Sequence, residues 1–385
     1  MKLNEQQNEA VEHLDGPCLC TAVPGSGKTR VIVERTARMI EKGVDPRSIL
    51  SITFTNKAAT EMKERVEKRI GVESTKKMVI STFHRLASTI LRYHGKHLGY
   101  DASMSILDED EQVDLMSQVA RQLEYELTKP EVKKIVWNLN DWREKLETDD
   151  DLYDRYHDAG NDGHYDIAKE YLSRLIKSNS IDFSGMLSET VRLLKEFPHV
   201  LEAAQKRWKY FMVDEVQDTN LCQFTIVDLL CSHTKNVFIV GDADQSIYGW
   251  RGARMENLAD FQKKYNAKII SLGKNYRSTP QIIKVSDTLI RHNNNRIDVE
   301  FSTDNPDGIP VQLKTFSGDR EEADAIAKTI KSLIGSTSYT GKDMAVFYRL
   351  NSMSRAIEMA MISNGIPHSV IGNFSFYDRR EIKDC

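Results

Sequence analysis

The stretch AVPGSGKT, Ala22 to Thr29, constrains what this chain can fold into more than any other. An apolar run, GPCLCTAV (Gly16 to Val23), leads into it, and RVIVERTARMI follows with apolar residues at helical spacing. Strand, glycine-rich loop and helix in that order form a phosphate cradle. The chemistry demands small residues, because backbone N–H groups must close around phosphate oxygens while the following helix adds its positive end. The pattern predicts a nucleotide site built from Ala22, Val23, Pro24, Gly25, Ser26, Gly27, Lys28 and Thr29. Lys28 would neutralise the β- and γ-phosphates, and Thr29 would set its hydroxyl on Mg2+. Ala22 stands where the first glycine of the pattern usually lies. A chance glycine-rich turn would not carry a strand before it and a helix after it.

MVDEVQD, Met212 to Asp218, supplies the acidic complement at the end of a predicted strand, YFMVDE. Asp214 would hold Mg2+, directly or through water, and Glu215 would polarise an attacking water. Acidic neighbours elsewhere, such as Asp149 to Asp151, read as surface charge; the apolar strand that delivers Asp214 and Glu215 sets them apart. The two motifs together predict an ATP hydrolase using ATP and Mg2+. VGDADQSIYGWRG, Val240 to Gly252, is another strand that ends in acidic residues, with Gln245, Tyr248, Trp250 and Arg251 directly after. Exposed aromatics stack on unpaired bases at about 1–3 kcal/mol per base, while arginine meets the phosphate backbone. Core packing is the competing role for Trp250, and its Gly and Arg neighbours favour a surface loop.

At 385 residues the chain exceeds one compact core. With 40% hydrophobic and 29% charged residues, it has the composition of an ordinary globular protein. SILSITFT, MVISTF and NVFIVGD add strands, and NKAATEMKERVEKRI a helix with Asn56 as its cap. Short apolar strands separated by helices imply a parallel sheet wrapped by helices. From Tyr100 to Asn179 the pattern is polar and helical with hardly a strand candidate, and Asp149 to Gly163 reads as a loop. After Pro280 a second α/β rhythm begins. VQLKTF, DMAVFYR and PHSVIG read as strands between two helices, EEADAIAKTIKSLI and RAIEMAMISNG, the latter ended by Gly365. The predicted division is a first α/β unit of residues 1–99 and 180–280, a helical insertion at 100–179, and a partial second unit at 281–385.

Cys18, Cys20, Cys222, Cys231 and Cys385 include no CxxC pair and no zinc-ligand spacing with histidine, so reduced structural thiols are expected. A net charge of −4 argues mildly against a passive nucleic-acid coat but permits a local binding groove. No apolar run approaches the ~20 residues of a membrane span. The polar, amphipathic start MKLNEQQNEAVEHL is unlike a secretory signal, which makes the cytoplasm the expected compartment.

At this point the residues resemble a family, the UvrD/Rep/PcrA-like helicases of superfamily 1. LNEQQNEAV, GSGKTR, TFTNKAATEM, STFH, DFSGML, VDEVQDTN, GDADQSIYGWRGA, NYRS, YRLNSMSR and FYDRREIKD follow in the family's order across nearly the whole chain. The resemblance implies RecA-like α/β units and ATP-driven 3′-to-5′ translocation on single-stranded DNA, with unwinding of tailed duplex DNA in repair, recombination or replication. It implies that Arg30 and Tyr276 sandwich the adenine while Gln7 bonds its edge, and that Gln245 and Arg277 sense the γ-phosphate. Phe54, Asn56, Thr82, Phe83, His84, Tyr248, Trp250, Arg251, Arg349 and Asn351 would line the single-strand track. Val216 replaces an aromatic residue common in the family. FYDRREIKDC would lead into an accessory domain and two further motifs, one bringing a second arginine, so the expectation is an incomplete motor, with a second polypeptide as one source of the missing parts. A DNA- or partner-gripping module without motor activity, and an RNA-directed ATPase, are the rival readings.

Overall fold

In the computed structural model the described residues are 2–157, 162–249, 252–254, 256–293, 299–336 and 338–371. They form two compact units, Met1–Ile309 and Pro310–Cys385. The first opens with α1 (Glu5–Glu12), β1 (Cys18–Ala22), α2 (Lys28–Glu41), β2 (Ile49–Thr53), α3 (Asn56–Ile70), α4 (Val72–Lys77), β3 (Val79–Thr82) and α5 (Phe83–His94). It continues through β4 (Ser105–Leu107), α6 (Glu109–Gln122), α7 (Lys129–Glu144), α8 (Asp149–His157), α9 (Asp162–Lys177), β5 (Ser180–Asp182), α10 (Phe183–Glu196) and α11 (Pro198–Arg207). β6 (Tyr210–Val213), α12 (Leu221–Cys231), β7 (Val237–Gly241), α13 (Glu256–Tyr265), β8 (Lys268–Leu272) and α14 (Pro280–Ile290) complete its regular elements.

Among the described residues β3-β2-β6-β7-β1-β8 form one sheet, parallel throughout. β1, β2 and β7 are buried along their whole length, as continuous apolar runs in a parallel sheet should be. Alternation divides their side chains between two cores. Leu19, Leu50, Phe211 and Ile239 pack with α5, α10 and α12, whereas Cys18, Cys20, Met212 and Phe238 pack with α1, α2 and α3. Because the strands run one way, the segments after β1, β2, β3, β6, β7 and β8 all emerge at one edge, where such sheets bind ligands.

Arg35 of α2 locks α1 onto this sheet. Its side chain is 2% exposed and donates to the carbonyls of Ala10, Leu14 and His13, the last a short contact. Its guanidinium also lies 4.5 Å from the centre of the Phe238 ring. Carbonyls at the end of a helix carry partial negative charge, so a cation there is held without a carboxylate.

Helices α6 to α9 have a core of their own, around Met116, Ile135, Leu139, Tyr156 and Tyr171. β4 and β5 pair in parallel at its base. Beside them Asp182 receives Arg143 Nη1 at 2.7 and 2.8 Å, Tyr171 OH at 2.7 Å, Gln112 Nε2 at 3.2 Å and the Gly185 N–H at 2.7 Å. Burial raises the Asp182 carboxyl, but the Arg143 charge and these bonds outweigh it and hold the group below the ordinary carboxylate range.

Several sequence expectations are corrected here. Residues 149–157, read as loop, are helix α8; three aspartates sit at its positive first turn, and Thr148 bonds Asp151 through both its N–H and its hydroxyl at 2.7 Å. Strands β4, β5 and β8 were missed, two being only three residues long and the third alternating exposed and buried residues at the sheet edge. The first compact unit also continues past Pro280, with Ser302 bonded to the Gly273 carbonyl and Gly308 to Gln281.

The second unit contains α15 (Asp319–Ser336) and α16 (Ser354–Ser363), which bury Ala323, Ala327, Ala360, Met361 and Ile366 between them. Gly365 takes φ +68 just after α16, as its predicted capping role requires. VQLKTF, DMAVFYR and the described part of PHSVIG do not form the strands read from them. Leu313 and Phe347 are almost fully exposed, and a parallel strand needs a neighbouring strand to bond and cover for its apolar side chains.

Candidate nucleotide and nucleic-acid site

The loop between β1 and α2 is closed by residues from far along the chain. Gly25 and Gly27 adopt φ +71 and +88, a region that favours glycine. A Cβ on Gly25 would stand 2.8 Å from Arg277 Cβ, and one on Gly27 3.0 Å from Gln7 Nε2. Asn275 Nδ2 donates to the Pro24 carbonyl at 2.6 Å, while its Oδ1 accepts from the N–H groups of Arg277 and Ser278. Tyr276 N–H donates to Gly25 O at 3.0 Å. Gln7 is buried and donates to Ser26 O at 2.8 Å, and Asn4, which caps α1, donates to the Tyr276 hydroxyl at 2.8 Å. Ala22 and Val23 are buried, and Pro24, Thr29 and Arg30 half-buried, around the same loop. Ser26 Oγ is buried with no hydrogen-bond partner.

Opposite this loop β6 delivers the two carboxylates. Lys28 Nζ lies 2.8 Å from Glu215 Oε2, and Gln217 Nε2 donates to the same oxygen at 2.8 Å. Glu215 adopts φ +53, a left-handed turn that points it away from the strand direction. Gln217 Oε1 accepts from the Asp242 N–H at 3.1 Å, and Gln245 Nε2 donates to Asp242 Oδ2 at 2.6 Å. The segments after β1, β6 and β7 thus form one hydrogen-bonded array. Asp214 is 5% exposed; burial first, and then the Glu215 charge, push its carboxyl up to about 7. The same two causes raise Asp218 to about 6.

The Asp214 shift has a measurable consequence. A carboxyl raised in the folded state contributes stability below its ordinary value of 3.8 and loses it as pH rises through about 7. Asp214→Asn should therefore stabilise the protein in EDTA, with the gain growing from pH 4 to pH 7 and levelling above, to on the order of 3 kcal/mol. Thermal melts of both proteins at pH 5 and pH 8 check this, and an equal gain at the two values would contradict it.

A second cluster of candidates surrounds the segments after β2, β3 and β7. The Phe54 and Tyr248 rings stack at 5.4 Å and 24°. Asn56, expected to cap α3, is exposed in its first turn while Thr55 is the cap, and Thr82 caps α5 by accepting the Arg85 N–H. His84 meets Phe183 edge-on at 5.6 Å, and burial lowers its imidazole below the ordinary value. Asn56, Thr82, His84 and Phe183 line one groove of about 770 Å³, together with the cations Lys63, Lys76, Arg85 and Arg207. Phe83 does not join them: it is 2% exposed and packs into the core as the first apolar residue of amphipathic α5. Trp250 and Arg251 lie outside the described residues. Arg349 and Asn351 are exposed residues of the second unit.

Sequence reasoning passed over Asn4, Asn275, Gln217 and Phe183. Asn275 lies inside the NYRS segment and Gln217 inside DEVQD, so their positions were marked, but amides that brace a loop leave no spacing signature. No group of three or more His, Cys, Asp and Glu among the described residues is arranged to hold an ion. Thr29 and Asp214 still suit Mg2+, a hard cation that takes one or two protein oxygens and completes its shell with phosphates and water.

Comparison with known proteins bears on these features. Residues 3–266 match the model of the UvrD/REP helicase N-terminal domain, and residues 270–385 that of the UvrD-like helicase C-terminal domain. The chain is 39% identical to the ATP-dependent DNA helicase PcrA of Bacillus subtilis, over 99% of its own length and 52% of that protein's. It is 37% identical to PcrA of Leuconostoc citreum, over 99% of its length and 51% of the relative's. The chain spans about half the length of the curated relatives it matches. No helix among the described residues is long and apolar enough to cross a membrane.

Proposed function

The chain belongs to the UvrD/REP helicase family, and on that premise we propose that it binds and hydrolyses ATP and couples this to movement along single-stranded DNA. The observation that carries the reading is the approach of Lys28 to Glu215, 2.8 Å apart although 187 residues separate them in sequence. ATP entering the loop would draw Lys28 to its β- and γ-phosphates, since the triphosphate carries the greater charge, and so release Glu215 to orient and deprotonate water. Gln245 and Arg277 sense the γ-phosphate in this reading, Arg30 and Tyr276 hold the adenine, and Gln7 braces the loop while reading the adenine edge. Thr29 and Asp214 hold Mg2+, which when bound supplies charge neutralisation on the phosphates.

The nucleotide-binding unit comprises residues 1–99 and 180–309, with 100–179 an inserted helical domain and 310–385 part of a second unit. Phe54, Asn56, Thr82, His84, Tyr248, Trp250, Arg251, Arg349 and Asn351 carry the strand, and a cytoplasmic enzyme moving 3′ to 5′ on tailed duplex DNA is the whole proposal. Steady-state ATP turnover with matched DNA and RNA oligonucleotides tests the substrate, and strand displacement on 3′- and 5′-tailed duplexes tests polarity. Stimulation by RNA alone would replace the DNA reading. Tyr248→Ala should weaken single-stranded DNA binding by about 1–3 kcal/mol with little sequence preference. Fluorescence anisotropy checks it; unchanged affinity with a lower melting temperature would make the Phe54–Tyr248 stack a packing contact only.

A further inference from the structure

We propose that Glu144, the last residue of α7 in the helical insertion, is a positioning residue that sets the loop after β7 against the segment after β6. The end of α7 is held on two sides: Arg143 is bound to Asp182, and its carbonyl accepts the Cys222 thiol at 3.1 Å. From this anchored end the Glu144 carboxylate accepts from Ser184 Oγ at 3.0 Å, in the first turn of α10, and its charge is felt by the side chain of Asn220, the cap of α12. Two helix N-termini therefore converge on one carboxylate and favour its charge, but burial outweighs them and raises the carboxyl above its ordinary value. On its open side stands Gly252, with φ +78; a Cβ there would lie 3.0 Å from Glu144 Oε2 and 3.7 Å from Asn220 Cβ. A side chain at position 252 would therefore crowd the carboxylate.

The rest of that loop is tied to the same segment. Ser246 Oγ donates to Gln217 O at 3.1 Å, Arg254 N–H to Thr219 O at 3.0 Å, and Asn257 Nδ2 to Thr219 O at 3.0 Å. Gln217 in turn bonds Glu215. Glu144 thereby joins the insertion to a continuous path that runs from the Tyr248 loop to the water-polarising carboxylate. A shift of the insertion would move Asn220 and Gly252 together. This consequence rests on the proposed roles of Tyr248 and Glu215, whereas the positioning itself does not.

The test is hydrogen exchange on the full chain, read in peptides covering Ser246 to Asn257. Glu144→Ala should speed exchange there by about tenfold or more and weaken single-stranded DNA binding about fivefold, with affinity for a fluorescent ATP analogue unchanged. Glu144→Gln, which keeps the shape and can still accept from Ser184, should stay within about twofold of the parent in all three. If Glu144→Ala also loosens α9, Ser184→Ala takes its place and must accelerate the loop on its own. Unchanged loop exchange in both variants overturns the proposal, as does equal loosening of α9 and the loop in both. Failure of the parent chain to bind single-stranded DNA would overturn the proposed function instead, and the exchange result would still decide the positioning.

Discussion

Glu215→Gln should lower DNA-stimulated ATP turnover by about 10²–10⁴-fold, the span expected on removing a positioned general base, with nucleotide affinity close to that of the parent. The amide keeps the shape of the side chain and can still accept from Gln217, now 2.8 Å from Glu215 Oε2. It cannot take a proton from water. Lys28→Ala should fail differently, losing nucleotide affinity because the β- and γ-phosphates lose their cation. It also strips Glu215 of the ammonium 2.8 Å away. Phosphate-release kinetics with a fluorescent-nucleotide titration separate the two variants. Turnover near the parent's in Glu215→Gln would assign the water-polarising role to another residue, such as Asp218 in the same segment.

Asp182→Ala should cost about 3–5 kcal/mol, because removing one partner of a buried ion pair leaves the other charge unpaired. Here the abandoned group is Arg143, and Tyr171, Gln112 and the Gly185 N–H lose their acceptor as well. The double variant Arg143→Met/Asp182→Leu should lose less than Asp182→Ala alone, since it removes both charges and refills the space. The sign with pH follows from the lowered Asp182 carboxyl: its stabilisation is present above the ordinary value of 3.8 and disappears as pH falls through the folded-state value. Denaturant titrations at pH 7 and pH 3 measure both effects. A loss under about 1 kcal/mol for the single variant at pH 7 would mean that water enters and solvates Arg143.

The proposed nucleotide site was legible because its chemistry is local. The loop of small residues after an apolar run, and the carboxylates at the end of another, identify themselves whatever surrounds them, and β1, β6 and β7 deliver them as read. Gln7 shows the limit: the resemblance marked it, yet only the fold shows one of its amide N–H groups bonded to Ser26 O. Phe83 shows the same limit from the other side, since STFH marks a segment but cannot say which of its side chains turns inward. Strand periodicity after Pro310 proved insufficient because alternation describes a side-chain pattern, whereas a strand also needs a partner to bond.

What the sequence determined by itself is therefore an inventory: a phosphate loop, paired carboxylates, an aromatic and cationic loop, and the parallel α/β rhythm that sends them to one sheet edge. The tertiary structure decided the pairings. Lys28 with Glu215, Asn275 with Pro24, Arg35 with the end of α1, and Asp182 with Arg143 each join residues remote in the chain. Such contacts follow from the order β3-β2-β6-β7-β1-β8 and from which helix covers which face. That order is fixed by burying both faces of the sheet at once, a property of the whole chain that no local window of residues contains.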